Sequence, residues 1–192
     1  MIQNTPCVIL SGGKSSRMGR DKSLLPFCNY KTLIEYQYRK LSNIFKDVYI
    51  SSKTNKFDFD CNIIYDKSDI SSPMVALNSI FDHLKSDKVF IIAVDTPFVK
   101  EDTINILLNQ SKQFNITIAK EKNRTHNLCG VFSNTIKVHI EKLLTKNIHK
   151  IDNLIDQIGD VKTICISDNE QFTNINIHDD YINATKISNS YI

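Results

Sequence analysis

The stretch CVILSGGKSSRMGRDKSLLPF, residues 7–27, joins a short apolar run directly to a loop rich in glycine and basic residues. The run Cys7 to Ser11 is apolar almost throughout, as a strand buried on both faces requires. The loop that follows, Leu10 to Phe27, holds three glycines and four lysine or arginine residues. In open α/β sheets, ligands bind beyond the carboxyl ends of the strands, so this loop is the first candidate site.

The rest of the chain alternates short strands with segments of helical period. Apolar residues recur at helical spacing between the strands, as at Ile34, Tyr38 and Leu41. This alternation predicts an α/β fold, a three-layer α/β/α sandwich around a Rossmann-like, mostly parallel sheet. Beyond Cys7 to Ser11, the predicted strands are Asp47 to Ser51, Asn62 to Tyr65, Lys88 to Val94, Asn115 to Ala119, Leu128 to Phe132 and Val161 to Ile166.

Residues at the ends of the helical segments support this reading. Ser72 followed by Pro73 is typical of a helix N-terminus, with the serine as N-cap. Asn134 is expected to cap the next helix in the same way. Gly159 lies where a helix C-terminus favours a residue in the left-handed conformation.

Length and composition indicate one globular domain over residues 1–192. Hydrophobic residues make up 41% and charged residues 23%, which excludes a disordered chain. No apolar run is long enough for a membrane span, and no signal peptide is recognisable, so we expect a cytoplasmic protein without a membrane partner. The net charge of +3 is too small and too scattered for a nucleic-acid partner.

The five cysteines point to no metal or disulfide scaffold. They lie far apart, and no two are spaced as C-x-x-C. We therefore expect reduced, mostly buried thiols.

The loop has the composition of a polyphosphate site. Gly12 and Gly13 let backbone N–H groups approach an anion closely, and Ser15 and Ser16 add hydroxyl donors. Positive charge comes from Lys14, Arg17, Arg20 and Lys22. The glycine spacing fits neither the P-loop nor the dinucleotide-binding fingerprint, which disfavours a plain ATPase and a dinucleotide oxidoreductase. A solvated basic turn without function is the alternative.

The same loop resembles the signature L-x-G-G-x-S-x-R-M-G-x-D-K-x-L-L of the molybdenum cofactor guanylyltransferases, the MobA family of the nucleotidyltransferase superfamily. The pair Asp21–Lys22 distinguishes this family from relatives that keep the lysine alone. The resemblance implies a nucleotidyltransferase (GT-A-like) architecture. The matching residues are Leu10, Gly12, Gly13, Ser15, Arg17, Met18, Gly19, Asp21, Lys22, Leu24 and Leu25.

A second match is the segment IIAVDTPF, Ile91 to Phe98, which resembles the family's C-D-x-P segment with Val94 in place of cysteine. Asp95 follows a buried strand, and Mg²⁺ typically takes one or two carboxylates together with substrate phosphates. Asp95 is therefore predicted to be a catalytic residue and a ligand of Mg²⁺. The alternative is an aspartate that only starts the turn before Pro97.

Weaker matches suggest further contacts. Ser51 and Asp66 align with family positions that contact the guanine nucleotide, although the family commonly has asparagine at the first. For Asp66, the alternative is a carboxylate of a surface turn without a ligand. His126, Asn174 and Asn176 fall in segments that, by resemblance, face the molybdopterin substrate. For Asn176, capping the last helix is an equally good explanation, and a lone histidine such as His126 is more often structural.

The resemblance implies transfer of GMP from GTP to the terminal phosphate of molybdopterin, with release of pyrophosphate. Gly12, Gly13 and Arg17 would then hold the β- and γ-phosphates, and Lys22 would stabilise charge near the α-phosphate, with Leu10 and Ser11 beside the base. Arg17 and Lys22 would thus be catalytic residues together with Asp95. Molybdoenzymes or their chaperones would receive the product. Two alternatives stay open: a related transferase that uses CTP or another NTP with molybdopterin or with a sugar or alcohol phosphate, and a nucleotide-binding module without activity.

Overall fold

The computed structural model describes residues 2–12, 19–168 and 170–189, the last three by their backbone only. The strands are β1 (Cys7–Leu10), β2 (Val48–Ser52), β3 (Asn62–Tyr65), β4 (Lys88–Ala93), β5 (Ile116–Glu121), β6 (Arg124–Ser133) and β7 (Val161–Cys165). The α-helices are α1 (Leu33–Ser42), α2 (Pro73–His83), α3 (Glu101–Gln110), α4 (Lys137–Thr145), α5 (Ile151–Gln157) and α6 (His178–Asn189). Short 3-10 helices cover Lys22–Leu24, Asn134–Ile136 and Glu170–Phe172.

All seven strands form one sheet in the order β3-β2-β1-β4-β6-β5-β7. β1 pairs in parallel with both β2 and β4, whereas β6 runs antiparallel to β4 and β5. The mostly parallel sheet that the sequence predicts is therefore confirmed. β6 is longer than predicted, because the hairpin that it forms with β5 continues as far as the pair Glu121 and Arg124.

The sheet is covered on both faces, which gives the predicted three layers. Successive residues of β1 point to opposite sides, as strand geometry requires. Cys7 and Ile9 join one core with α1, α3 and α6, and Val8 and Leu10 join the other with α2, α4 and α5. Strands buried on both sides in this way read as continuous apolar runs, which is why β1 and β4 are apolar almost throughout.

Of the three predicted helix caps, one is confirmed and two are wrong. Ser72 caps α2 by accepting from the backbone N–H groups of Met74 and Val75, as predicted. The prediction that Asn134 caps the next helix is wrong. The hydroxyl oxygen of the preceding Ser133 accepts from the N–H of Thr135 and starts the turn that leads into α4. The prediction that Gly159 is a left-handed C-cap is also wrong, because the C-cap of α5 is Ile158 and Gly159 does not have a positive φ.

The end of α5 shows why no left-handed residue is needed there. The helix stops at Gln157, and Ile158 is already extended while its N–H bonds to the carbonyl groups of Leu154 and Ile155. Extended backbone at Ile158 lets the chain enter β7 directly. Among the described glycines, only Gly19 has a positive φ. No helix within the described ranges is both long and apolar enough to cross a membrane.

The close pairing of β5 with β6 generates a stability prediction at Gly130. A Cβ at this position would lie 2.1 Å from the carbonyl oxygen of Thr117 and 2.8 Å from the Cα of Ile118, both backbone atoms of β5. Gly130→Ala should therefore lower the free energy of unfolding by about 1–3 kcal/mol, as overpacking commonly does. Urea denaturation followed by circular dichroism measures the change.

Gly159→Ala is the matched control. Nothing lies within 4 Å of a Cβ built there, and its φ is one that alanine tolerates. This variant should be neutral or stabilised by up to about 1 kcal/mol through the unfolded state. Equal stabilities for the two variants would contradict the packing derived for β5 and β6.

Candidate functional site

The candidate site lies where four parallel strands end. Leu10 of β1 pairs with Ser51 of β2 on one side and with Ala93 of β4 on the other, and Ser51 pairs in turn with Ile64 of β3. The carboxyl ends of β1 to β4 therefore meet along one edge of the sheet. Residues that follow these ends are brought together there.

Lys22 joins three parts of the chain at this edge. Its Nζ donates to Oδ2 of Asp95 at 2.8 Å, to the carbonyl oxygen of Ile175 at 3.0 Å and to Oδ1 of Asn176 at 3.3 Å. The side chains of Lys22 and Asp95 are only 19% and 21% exposed, so the pair is shielded but still open to a ligand. Asp95 and Asn176, which are predicted from separate motifs, thus both contact the Lys22 amine.

Two of these residues, Asn176 and Asp95, also had structural explanations, as a helix cap and as the start of a turn. Asn176 directs its Oδ1 to Lys22, and its own N–H, like that of Ile177, donates to Oδ2 of Asp180 in the first turn of α6. The turn before Pro97 is closed by the N–H and hydroxyl of Thr96 on the carbonyl of Ala93. The Asn176 side chain is thus directed to Lys22, and the turn at Ala93 is closed without the Asp95 side chain.

Asp21 caps the short helix that begins at Lys22 and makes an ion pair of its own. Its Oδ1 accepts from the N–H and hydroxyl of Ser23, which caps the 3-10 helix at Lys22–Leu24. Its Oδ2 accepts from Nζ of Lys56, which also lies 3.5 Å from the carbonyl oxygen of Ser11. Burial pushes the pKa of Asp21 up, but the bonds from Lys56 and Ser23 outweigh this, and the pKa lies below its usual value.

Lys56 was not predicted from the sequence. It lies in the loop between β2 and β3, and it reaches residues on both sides of the 13–18 stretch, Ser11 and Asp21. No motif surrounds Lys56 in the sequence, so only the folded chain reveals this contact.

A second polar group lies at the ends of β1, β2 and β3. The hydroxyl of Ser51 donates to Oδ1 of Asp66 at 2.7 Å, and a Cβ added to Gly12 would lie 3.6 Å from Oδ2 of the same carboxylate. Burial raises the pKa of Asp66 above its usual value, although Ser51 and the charge of Lys53 oppose the rise. Ser51 thus supports Asp66, a role that its alignment with a nucleotide-contacting position did not predict.

The residues predicted to face the second substrate lie near one another. His126 is 7% exposed, and its ring stacks on Phe172 with the centroids 4.1 Å apart. Its Nε2 lies 3.4 Å from Oε2 of Glu121, and burial lowers its pKa despite that carboxylate. Asn174, with its amide oxygen facing the guanidinium, accepts from Nη2 of Arg124 at 3.0 Å and donates to the carbonyl of Phe172 at 3.1 Å.

Five residues predicted for the phosphate site lie outside the described part of the chain: Gly13, Lys14, Ser15, Ser16 and Arg17. Leu10 and Ser11 are buried at the end of β1, next to Gly12. Among the described residues, no three His, Cys, Asp or Glu side chains surround a common point.

The bond between Ser51 and Asp66 generates a prediction about pKa. Because this hydrogen bond holds the pKa of Asp66 down against burial, Ser51→Ala should raise that pKa further. Titration followed by ¹³C NMR of the carboxyl groups measures the pKa of Asp66. The resonance that is missing in Asp66→Asn identifies this carboxyl group. Ser52→Ala is the control, since the Ser52 hydroxyl donates to the carbonyl of Thr54 instead. An equal pKa of Asp66 in both variants would contradict the assigned bond.

Known proteins share both the sequence pattern and the fold. A profile of the MobA-like NTP transferase domain matches residues 7–161. A protein of Campylobacter jejuni named molybdenum cofactor guanylyltransferase is 39% identical, covering 91% of this chain and 92% of its own length. A protein of the same name from Helicobacter pylori is 34% identical, covering 97% and 94%.

A solved structure is similar in fold. It is the molybdopterin-guanine dinucleotide biosynthesis protein A of Archaeoglobus fulgidus, with a TM-score of 0.84 and 21% identity over 97% of this chain and 100% of that one. The profile covers most of the chain, and the identity to the two bacterial relatives extends over almost all of it. The chain therefore belongs to the family of MobA-like NTP transferases.

Proposed function

We propose that this protein transfers GMP from GTP to the terminal phosphate of molybdopterin, releasing pyrophosphate. The terminal phosphate attacks the α-phosphorus of GTP, a new P–O bond forms, and the bond to the departing pyrophosphate breaks. The family and the names of its relatives support the choice of substrates. Because the attacking group is already an anion, the protein has mainly to position the reactants and neutralise charge.

The observation that carries the proposal is the contact of Lys22 with Asp95 and Asn176. It brings the signature loop, the end of β4 and the segment before α6 to one point on the sheet edge. A lysine amine beside the glycine loop is suited to charge that develops on a transferring phosphate. The partial exposure of the pair leaves room for a triphosphate to share Lys22.

The other residues have roles that follow from their places. We propose that the amides of Gly12 and Gly13, with Arg17, bind the β- and γ-phosphates, and that Leu10 and Ser11 border the base. Asp66, supported by Ser51, lies beside Gly12 at the ends of β2 and β3. It is therefore suited to accept a hydrogen bond from the nucleoside.

The donor set at Asp95 fits Mg²⁺. A partly exposed carboxylate at a strand end is a hard oxygen ligand, and Mg²⁺ is commonly bound by one or two carboxylates together with substrate phosphates. When bound, the ion would neutralise charge on the triphosphate. Lys22 already contacts the same carboxylate, so this side chain would orient Asp95 before the substrate arrives.

We place the molybdopterin side of the site at the cluster of His126, Asn174 and Asn176. Asn176 contacts Lys22, and Asn174 contacts Arg124, so the two asparagines link the proposed phosphate site to a guanidinium. An exposed arginine held in this way is suited to an anionic second substrate. Handover of the product to molybdoenzymes or their chaperones belongs to the same proposal.

Substitutions at the contact test the proposal. Asp95→Asn and Lys22→Met should each lower kcat by about 10²–10³-fold, because each removes charge from the reacting centre. Pyrophosphate release from GTP and molybdopterin measures turnover, and circular dichroism checks that the variants are folded.

Lys137→Met is the matched control. Lys137 pairs with Asp82 near the opposite edge of the sheet, where β6 ends beside the start of β4. Its loss should leave kcat unchanged. Full activity in Asp95→Asn, or equal losses in all three variants, would contradict the proposed roles.

The choice of nucleotide is tested separately. In the presence of Mg²⁺, GTP should raise the thermal midpoint more than CTP, ATP or UTP at equal concentration. A ligand at one hundred times its Kd adds about 2.7 kcal/mol to the stability of the folded state. Stronger stabilisation by CTP would contradict guanylyl transfer and favour a cytidylyl transferase. Stabilisation by GTP without pyrophosphate release on addition of molybdopterin would indicate a binding module.

A further inference from the structure

Lys40 holds the chain segment that carries Asp95. This half-buried lysine lies on α1, and its Nζ donates to the carbonyl oxygen of Pro97 at 2.8 Å and to that of Val99 at 2.7 Å. Burial of the amine lowers its pKa to about 8. Burying an amine is costly, and the bonds to the two carbonyl groups offset that cost.

The segment from Ala93 to Val99 is fixed from several sides. The N–H of Val94 donates to the carbonyl of Leu10, and the carbonyl of Asp95 accepts from the N–H of Ile175. One helical turn before Lys40, Nε2 of Gln37 lies 3.4 Å from the carbonyl oxygens of Ala93 and Val94. α1 therefore contacts this segment before and after Asp95.

We propose that Lys40 is a positioning residue, which sets the Asp95 carboxylate against Lys22 by fixing the turn after β4. Without Lys40, the carbonyl groups of Pro97 and Val99 would lose their donor, and the turn would be free to shift. A misplacement of about 1 Å at a reacting centre costs up to about 10²-fold in rate. The kinetic part of this inference rests on the proposed function, whereas the structural part does not.

Lys88 provides a matched comparison at the other end of β4. It lies at the start of β4, and its Nζ donates to the carbonyl oxygens of Ser111, Lys112 and Phe114. Burial lowers its pKa as well. Both lysines thus hold carbonyl groups of loops, one at the carboxyl end of β4 beside the candidate site and the other at the opposite end. If Lys40 had only a structural role, substituting Lys40 and substituting Lys88 should have similar effects on the protein.

The kinetic test compares Lys40→Met with Lys88→Met. We expect Lys40→Met to lower kcat by about tenfold or more with KM for GTP changed less than about threefold, since orientation rather than binding is lost. Lys88→Met should leave both constants unchanged. Lys40→Arg, which keeps the charge and two donors, should recover part of the lost kcat.

Hydrogen exchange gives a readout that does not depend on activity. In Lys40→Met, the backbone N–H groups of Val94 and Thr96 should exchange at least about tenfold faster, with other strands unchanged. In Lys88→Met, these two groups should keep the protection that they have in the unsubstituted protein.

The outcomes are distinguishable. Unchanged kcat together with unchanged exchange at Val94 and Thr96 in Lys40→Met would overturn the inference. So would a loss of protection spread evenly over the sheet in both variants. If the unsubstituted protein released no pyrophosphate, the proposed function would fail, while the exchange data would still decide the role of Lys40.

Discussion

The candidate site depends on one partly shielded amine, that of Lys22, and on where its acceptors come from. Asp95, Ile175 and Asn176 are more than 70 residues away along the chain, yet all three accept from the same Nζ. A charge pair with about one fifth of each side chain exposed pays a desolvation cost that good hydrogen bonds must offset. Such a pair is stable only if the surrounding backbone fixes both partners. Several elements near the site hold the backbone around Lys22 and around Asp95.

The parallel sheet holds both segments in place. β1 lies between β2 and β4, so the loop after β1 begins between the ends of its two neighbours. Asp21 turns the chain into a short 3-10 helix and is itself tied to Lys56. On the other side, Lys40 and Gln37 of α1 hold the carbonyl groups around Asp95. The two charged partners are thus supported by different elements.

Much of the fold could be predicted from local patterns, because buried strands and amphipathic helices carry their burial in the sequence. β1, β3 and β4 were found almost to the residue, and Ser72 was recognised as a cap. The errors at Asn134 and Gly159 arose where a neighbouring residue met the same backbone need, Ser133 by its hydroxyl and Ile158 by extended backbone.

The site was predictable only in part. Lys22 and Asp95 stand in motifs that family resemblance exposes, whereas Lys56 and Lys40 act through contacts between distant segments that no spacing reveals. Ser51 illustrates the middle case: the sequence predicts its place at the end of a strand but not its hydrogen bond to Asp66. Sequence patterns thus identify residues that carry chemistry more readily than residues that hold others in place.

A crystal structure of the protein with GTP and Mg²⁺ tests the central claim most directly. The account predicts that the triphosphate lies against Gly12 and within hydrogen-bond distance of the Lys22 amine, with the metal ion on the Asp95 carboxylate. A bound GTP whose phosphates lie away from the Lys22 amine would contradict it.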